Sequence, residues 1–203
     1  MPRTSTAKER LTTAALRMIW GHSYGSTSVD AICEQANVRK GSFYYFFKSK
    51  SDLAVAALEA DWKEHRQELD AIFSPTVPPL ERLERYFEYS YERLLQIKNE
   101  CGAVLGCPLY ALGSEVCTQD TTLRDKIQEI LDRKLSYFES ALRDAHAQGL
   151  IFAPDARAKA KTLFMFIQGT LTQARIQNNL EMLQDIYPSA LDFLGAAKSQ
   201  SAA

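Results

Sequence analysis

The organisation of this chain is decided by residues 25–53, which read GSTSVDAICEQANVRKGSFYYFFKSKSDL. Apolar side chains recur there at helical spacing, first over residues 29–36 and again at Phe43 and Phe47. Asn37 marks a tight turn between the two segments, because asparagine tolerates a left-handed backbone. The stretch therefore predicts two short helices joined by a tight turn, a helix-turn-helix arrangement.

A polar cap precedes the first of these short helices. Thr27 or Ser28 can supply a side-chain oxygen that accepts hydrogen bonds from the free amides of the first turn. Counted from a Thr27 cap, Asp30 falls at the third helical position, where its negative charge favours the start of a helix. We therefore expect the helix to begin immediately after one of these two caps.

Basic and aromatic residues follow the turn over residues 39–50, which read RKGSFYYFFKSK. If Phe43 and Phe47 enter the core, a polar set remains nearer the other side of the helix: Lys40, Ser42, Tyr44 and Tyr45. Lysine attracts phosphate, and a tyrosine hydroxyl donates to phosphate without sequence preference. The same residues also suit a solvated surface with two half-buried tyrosines, because short motifs often match by chance. This pattern alone leaves both interpretations open.

The charge is distributed unevenly along the chain, although the net charge is only −1. Residues 1–51 carry eight Lys and Arg against three acidic residues, a net charge of +5. The remaining 152 residues carry 16 basic and 22 acidic residues, a net charge of −6. A basic head on an acidic body favours a head that binds a polyanion and a body that does not, but solvated faces with an uneven distribution of charge give the same pattern.

Composition excludes several classes of protein. The longest stretch without a charged or strongly polar residue, residues 103–113, is too short to cross a bilayer, and residues 1–10 lack the apolar core of a signal peptide. Four cysteines are too few for a disulfide scaffold, and the three histidines show no metal-ligand spacing with them. We expect a cytoplasmic protein with reduced thiols, without membrane contact, metal, cofactor or catalytic residues.

The rest of the chain also favours helix, which predicts an all-α fold of about nine helices. Residues 74–79 hold three prolines and form the clearest break. Residues 100–116 are mostly apolar and contain interspersed glycines, a composition that is typical of a loop leading into a short buried helix. Pro154 is suited to open the penultimate helix. Pro188 is expected to kink or interrupt the last one.

Residues 25–32 and 40–53 resemble the N-terminal domain of TetR-family transcriptional regulators. The match covers roughly the first 55 residues, and the remainder agrees in length and helical character. The resemblance implies a homodimeric repressor that a small-molecule effector releases from double-stranded, palindromic operator DNA. It further implies a DNA-binding domain at residues 1–51. Residues 52–203 would then form the effector-binding and dimerisation domain, which includes a four-helix bundle between two chains.

The pattern and the resemblance together predict nine DNA-binding residues: Thr27, Ser28, Arg39, Lys40, Gly41, Ser42, Tyr44, Tyr45 and Lys50. By resemblance, Tyr44 is the phosphate-binding tyrosine, and Lys50 clamps phosphate from the start of the fourth helix. Lys40 can also reach a base edge, and Gly41 leaves room for a close backbone. Phe46 stands where many members have a histidine, and a phenyl ring cannot donate that hydrogen bond. We therefore assign Phe46 no DNA contact.

Effector and dimer contacts are expected from the C-terminal helices. An apolar or weakly polar effector is predicted near Cys107, Tyr110, Phe138, Phe164 and Gln168. Gln168 and Gln173 interrupt an apolar helix, and burial of either amide requires a partner. Apolar stripes in the last two helices, at residues 163, 167 and 171 and at residues 183, 191 and 194, predict packing against a second copy of the chain.

Cys107 permits two further interpretations. The glycine-rich segment 100–109 weakly resembles the corresponding region of electrophile-sensing members of the family, where a nearby cation such as Arg175 would lower the thiol pKa. A buried free cysteine is also simply a small apolar residue. A cysteine-dependent enzyme and a purely structural helical protein are the remaining alternatives. The first lacks a Cys–His–acid arrangement, and the basic head argues against the second.

Overall fold

The computed structural model describes residues 6–196, and the described part is helical almost throughout and contains no strand. This confirms the predicted all-α fold. Nine α-helices follow one another within residues 6–196: α1 (Ala7–Gly21), α2 (Val29–Gln35), α3 (Lys40–Phe46), α4 (Lys50–Ile72), α5 (Pro79–Cys101), α6 (Pro108–Val116), α7 (Thr121–Ala147), α8 (Ala156–Gln177) and α9 (Ile186–Leu194). A 3₁₀ turn, Glu181–Leu183, precedes α9. Within this part of the chain, no helix combines the length and the apolar character that a membrane crossing requires.

The chain divides into two compact units. The first unit comprises the residues up to Arg66 together with Pro108–Leu131, and the second comprises Gln67–Cys107 and the residues from Asp132 onward. Helices α4 and α7 each contribute residues to both units. The first unit buries apolar side chains of α1 to α4, α6 and the start of α7, and the second buries those of α5, α7, α8 and α9.

Caps define the helix starts of the first unit. Thr6 and Glu9 form a reciprocal capping box at α1. The hydroxyl of Ser28 accepts a hydrogen bond from the amide of Ala31, 3.1 Å away, so Ser28 caps α2. Asp30 is therefore the second helical residue, one position earlier than counting from Thr27 predicts.

Asn37 makes the predicted turn between α2 and α3. It adopts a φ of 51°, a left-handed conformation that asparagine tolerates better than most residues. The amide of Val38 then donates to the carbonyl of Cys33 across this turn, at 2.9 Å. These contacts fix the turn that leads into α3.

A buried arginine organises the second unit. Arg82 of α5 is 2% exposed, and its guanidinium donates to the Asp144 carboxylate at 2.6 Å and to the Val77 carbonyl at 2.8 Å. A third, longer hydrogen bond of 3.3 Å reaches the carbonyl of Pro75. Arg82 therefore ties the proline-rich break at 74–79 to both α5 and α7.

Two predictions about proline are wrong. Pro154 does not open α8, because Asp155 follows it as the N-cap and accepts a hydrogen bond from the amide of Ala158 at 2.9 Å. Pro188 does not interrupt the last helix, since it is the third residue of α9. Amides of the first turn have no intrahelical acceptor, so a missing N–H costs nothing there.

The apolar stripes predicted for dimer contact are largely covered by the chain itself. Residues 163, 167 and 171 of α8 are buried, as are residues 183 and 194. Only Leu191 of the predicted set is partly exposed. Instead, α8 exposes Met165 (65%) and Ile176 (72%) on another face. Helix α8 is thus apolar on two sides, and periodicity alone selected the side that packs internally.

Candidate DNA-binding surface and effector site

Helix α3 is anchored by phenylalanine and presents tyrosine outward. Phe43 is fully buried and Phe47, directly after the helix, is buried as well, with the two ring centroids 5.9 Å apart. Tyr44 is 58% exposed, and its ring meets that of Phe43 edge to face at 5.0 Å. Tyr45 is 83% exposed. A core phenylalanine therefore orients two tyrosine side chains toward solvent.

The polar start of α3 is also accessible. Arg39, Lys40 and Gly41 are exposed, and Ser42 is half-buried. A side-chain carbon added to Gly41 would meet no atom within 4 Å. Gly41 is therefore not required for packing inside the described chain, and it leaves an open surface beside the tyrosines.

Lys40 pairs with an acidic residue of α2. Its ammonium lies 2.7 Å from the Asp30 carboxylate, and both side chains are exposed. The hydrogen bond to Asp30, followed by the attraction of its charge, raises the pKa of Lys40 above its ordinary value. An exposed ion pair of this kind is weak. Lys40 can therefore exchange Asp30 for a phosphate or a base at little cost.

Lys50 has a structural role that the sequence pattern did not indicate. Its ammonium donates to the carbonyls of Tyr24 at 2.8 Å and Thr27 at 3.0 Å. The same ammonium lies 4.1 Å from the centroid of the Tyr24 ring. Lys50 thus holds the α1–α2 loop against the start of α4. A lysine ammonium has three N–H groups, so one remains for a phosphate.

Thr27 and Ser28 occupy different environments. Thr27 is buried, and its hydroxyl donates to the carbonyl of Ser23 at 2.7 Å. Ser28 is exposed, and its hydroxyl accepts from α2 while keeping its own proton for another acceptor. Both residues therefore lie beside α2, but Ser28 alone presents a free donor outward. Their predicted contacts with DNA remain predictions.

Glu115 of α6 binds the same loop from the other side. Its two carboxylate oxygens accept hydrogen bonds from the consecutive amides of Tyr24, at 2.9 Å, and Gly25, at 2.6 Å. Burial, followed by the negative charges of Asp120 and Glu115, raises the pKa of the Tyr24 hydroxyl. About 90 residues separate Glu115 from this loop in the sequence. No local pattern could have revealed the contact.

Three of the predicted effector residues lie in the interior of the second unit. Phe138 of α7 meets Phe164 of α8 edge to face at 5.4 Å, and it meets Tyr86 of α5 in the same way at 4.8 Å. Gln168 follows Phe164 by one turn of α8 and is 2% exposed. Burial raises the pKa of the Tyr86 hydroxyl to about 12. Gln173, by contrast, is exposed.

The other two predicted effector residues are less enclosed. Cys107 and Tyr110 are both half-buried, and Tyr110 lies on α6, within the first unit. The segment before Cys107 packs closely on α8. Arg175 donates to the carbonyl of Leu105 at 3.0 Å, and a side-chain carbon on Gly106 would lie 3.1 Å from the carbonyl oxygen of Leu171.

Comparison with known proteins covers both parts of the chain. Residues 11–57 match the family model for bacterial regulatory proteins of the tetR family, and residues 79–188 match the model for the tetracyclin repressor-like C-terminal domain. The transcriptional regulator AcuR of Cereibacter sphaeroides is 29% identical over 180 residues, which cover 87% of this chain and 80% of AcuR. The HTH-type transcriptional repressor NemR of Escherichia coli is 24% identical over 182 residues, which cover 88% of each chain.

A solved structure shares the same fold. The crystal structure of regulatory protein TetR from Rhodobacter sphaeroides matches with a TM-score of 0.83 and 26% identity, over 93% of this chain and 99% of that one. The two family models together account for the helix-turn-helix region and for most of the helices that follow it. The chain therefore belongs to the TetR family of bacterial regulatory proteins and is a DNA-binding transcriptional regulator.

Proposed function

We propose that this regulator is a cytoplasmic repressor that binds a palindromic operator as a homodimer and leaves it when a small molecule binds the second unit. The single observation that carries the DNA-binding part is α3. Its outer face exposes Tyr44, Tyr45 and Lys40, while Phe43 and Phe47 hold the helix in place. NemR, described as a repressor, is similar over most of both chains, which supports repression over activation.

The proposed DNA contacts divide into positioning and reading. Tyr44, Ser28 and the remaining N–H of Lys50 donate to phosphate oxygens, which position the protein without reading the sequence. Lys40, the first residue of α3, and Tyr45 are both exposed and contact base edges in the major groove. In this proposal, residues 1–51 supply the DNA contacts, and residues 52–203 supply the effector and dimer contacts.

The proposed dimer uses the outer face of α8. Met165, Gly169 and Ile176 follow one another at helical spacing and are all exposed. An added side-chain carbon at Gly169 would meet no atom within 4 Å, so a partner helix can approach closely there. For such a two-fold pair to enter successive major grooves, its two α3 helices must lie about 34–36 Å apart.

Release follows from linkage between the two ligands. An effector that prefers a conformation unsuited to the operator must weaken operator binding. The operator weakens effector binding by the same factor. Helix α4 begins with Lys50 beside the α1–α2 loop and ends in the second unit at Ile72. A change in α4 that an effector stabilises would therefore also reposition Lys50. A thiol-sensing regulator that uses Cys107 is the alternative, and it is not better supported than this reversible mechanism.

Selection of duplexes from a random pool by the full chain tests the proposal. The selected duplexes should share a palindrome whose half-sites are about one helical turn apart. Tyr44→Phe should weaken binding to the selected duplex by at least about tenfold, since a hydrogen bond to a charged group contributes about 1.5–3 kcal/mol. The conservative control Tyr91→Phe, in α5, should bind like the wild type. Selection of no common sequence, or equal binding by Tyr44→Phe, would contradict the proposed DNA contacts.

Sedimentation at micromolar concentration tests the dimer separately. The wild type should sediment as a dimer, and Ile176→Glu should sediment as a monomer, because a carboxylate would be buried at the interface. Gln177→Glu adds the same charge to an exposed neighbouring position and serves as the control. A monomeric wild type would contradict the proposed dimer, and a dimer unaffected by Ile176→Glu would place the interface elsewhere.

A further inference from the structure

We propose that the second unit binds a small, uncharged aromatic compound whose hydroxyl or amide N–H donates to the side-chain oxygen of Gln168. This rests on the proposed function, because the compound would be the effector. It goes beyond that function by naming the chemical class of the ligand and the atom that recognises it.

Gln168 carries an acceptor that the described chain leaves unused. The side chain is 2% exposed, and its Oε1 atom receives no hydrogen bond from the described residues. Leaving a buried acceptor unsatisfied costs about 1–3 kcal/mol. An apolar residue of the same size at this position would avoid that cost. The oxygen is therefore best explained as the recognition group for a donor that arrives with a ligand.

The surroundings of Gln168 favour an aromatic partner. Phe164 lies one turn earlier on α8 and is buried. Phe138 meets Phe164 edge to face, and on its other side it meets Tyr86. A further edge-to-face contact, at 5.2 Å, joins Phe138 to Phe73. Aromatic rings prefer such edge-to-face and offset arrangements, so a flat ring adds to this cluster favourably.

The charge of the interior favours a neutral partner. Tyr86 remains protonated at physiological pH, because burial raises the pKa of its hydroxyl to about 12. Arg82 is the fully buried cation of the described chain, and its guanidinium is already engaged by Asp144 and two carbonyls. Arg93 lies near Tyr86 but is half-exposed. An anion placed beside Gln168 would lose its hydration without a buried cation to replace it.

Calorimetry of the full chain with three matched probes tests this inference. The probes are 4-methylphenol, 4-methylanisole and 4-methylbenzoate, which share a ring and differ in carrying a donor, a methyl ether or a negative charge. We expect 4-methylphenol to bind about tenfold more tightly than 4-methylanisole, and 4-methylbenzoate to bind most weakly. A site that presents a buried acceptor discriminates against an analogue without a donor.

Two variants connect the preference to Gln168. Gln168→Met keeps the length of the side chain and removes the amide oxygen, so it should bind 4-methylphenol and 4-methylanisole equally. Its melting temperature should not fall, because an unsatisfied acceptor has been removed, and this shows that the variant is folded. Gln173→Met changes an exposed glutamine of the same helix and should keep the tenfold preference.

Three results would overturn the inference: equal binding of 4-methylphenol and 4-methylanisole by the wild type, tighter binding of 4-methylbenzoate, or no heat with any probe at millimolar concentration. An unchanged preference in Gln168→Met would assign recognition to another residue and would overturn it too. DNA binding is measured independently by fluorescence anisotropy without probe. Failure of the ligand inference is therefore distinguishable from failure of the proposed repressor function.

Discussion

Aromatic side chains serve the two units of this molecule in opposite ways. On α3, Tyr44 and Tyr45 are exposed and project their hydroxyls from a helix that Phe43 anchors. In the second unit, Tyr86 and Phe138 are buried and meet edge to face. The same residue types thus form the surface proposed to contact DNA in one place and an apolar interior in the other. A substitution of an exposed tyrosine on α3 should therefore change DNA affinity. A substitution of a buried aromatic residue in the second unit should change stability or ligand binding.

Arg82→Ala is expected to have the largest effect on stability. It removes the guanidinium that binds Asp144 and two loop carbonyls, and loss of one partner of a buried ion pair costs about 3–5 kcal/mol. Urea unfolding measures the change in the free energy of unfolding. Arg85→Ala is the control, because Arg85 belongs to the same helix and forms an exposed pair with Glu81. Similar losses in the two variants would show that burial does not separate them.

The stability of the protein at alkaline pH tests the burial of Tyr86. The pKa of its hydroxyl is about 12 in the folded protein and 10.0 for an unperturbed tyrosine. Because the folded value is higher, its contribution to stability is fully present below pH 10 and is lost as the pH rises toward 12. The wild type should lose about 2.5 kcal/mol more than Tyr86→Phe across this interval. Parallel stability curves for the two proteins would contradict the assigned burial.

Gly106→Ala should destabilise the second unit by more than the cost of a left-handed backbone alone, which is about 1–2 kcal/mol for a residue with a side chain. Gly106 has a φ of 64°, and an added carbon would also lie 3.1 Å from the carbonyl oxygen of Leu171. Gly102→Ala is the matched control, since φ is 76° there and the space is open. The additional loss of stability in Gly106→Ala, compared with Gly102→Ala, measures the cost of the close approach to α8. Equal losses in the two variants would mean that α8 shifts to accommodate the added carbon without cost.

Gly41→Ala should increase stability and decrease DNA affinity. Alanine is favoured over glycine within a helix by about 0.8–1 kcal/mol, and the added carbon meets no atom of the described chain. The variant should therefore be slightly more stable in urea than the wild type. It should bind the selected duplex more weakly, because the methyl group occupies the surface proposed for DNA. Unchanged affinity would remove Gly41 from that surface.

Local patterns predicted the first unit well. Helical spacing over 29 residues predicts the anchors Phe43 and Phe47 and the exposed tyrosines. The tolerance of asparagine for a left-handed backbone predicts the turn at Asn37. The contacts of Lys50 and Glu115 with the α1–α2 loop could not be predicted, because they join residues that are far apart in the chain. Spacing identifies which residues share a face of a helix, but it does not identify what that face meets.

The same limit explains the errors in the second unit. The stripe on α8 was correctly identified as apolar, but residues 163, 167 and 171 pack inside the chain while Met165 and Ile176 are exposed. The interruption of this stripe makes both Gln168 and Gln173 candidates for a pocket or an interface, and Gln168 is buried. Gln173 interrupts the same helix and is exposed. Only the tertiary arrangement distinguishes the two glutamines.

The salt dependence of operator binding tests the account most directly. Binding of the selected duplex should be measured by fluorescence anisotropy across a range of salt concentrations for the wild type, Arg39→Ala/Lys40→Ala and Lys63→Ala/Arg66→Ala. The control pair is also exposed and lies about 20 Å or more along α4 from Lys50. Each lost positive charge that displaces a counterion from the duplex should reduce the slope of log K against log salt by about 0.9. A shallower slope in the α3 variant and an unchanged slope in the control are predicted, whereas equal slopes in all three proteins would contradict DNA binding through α3.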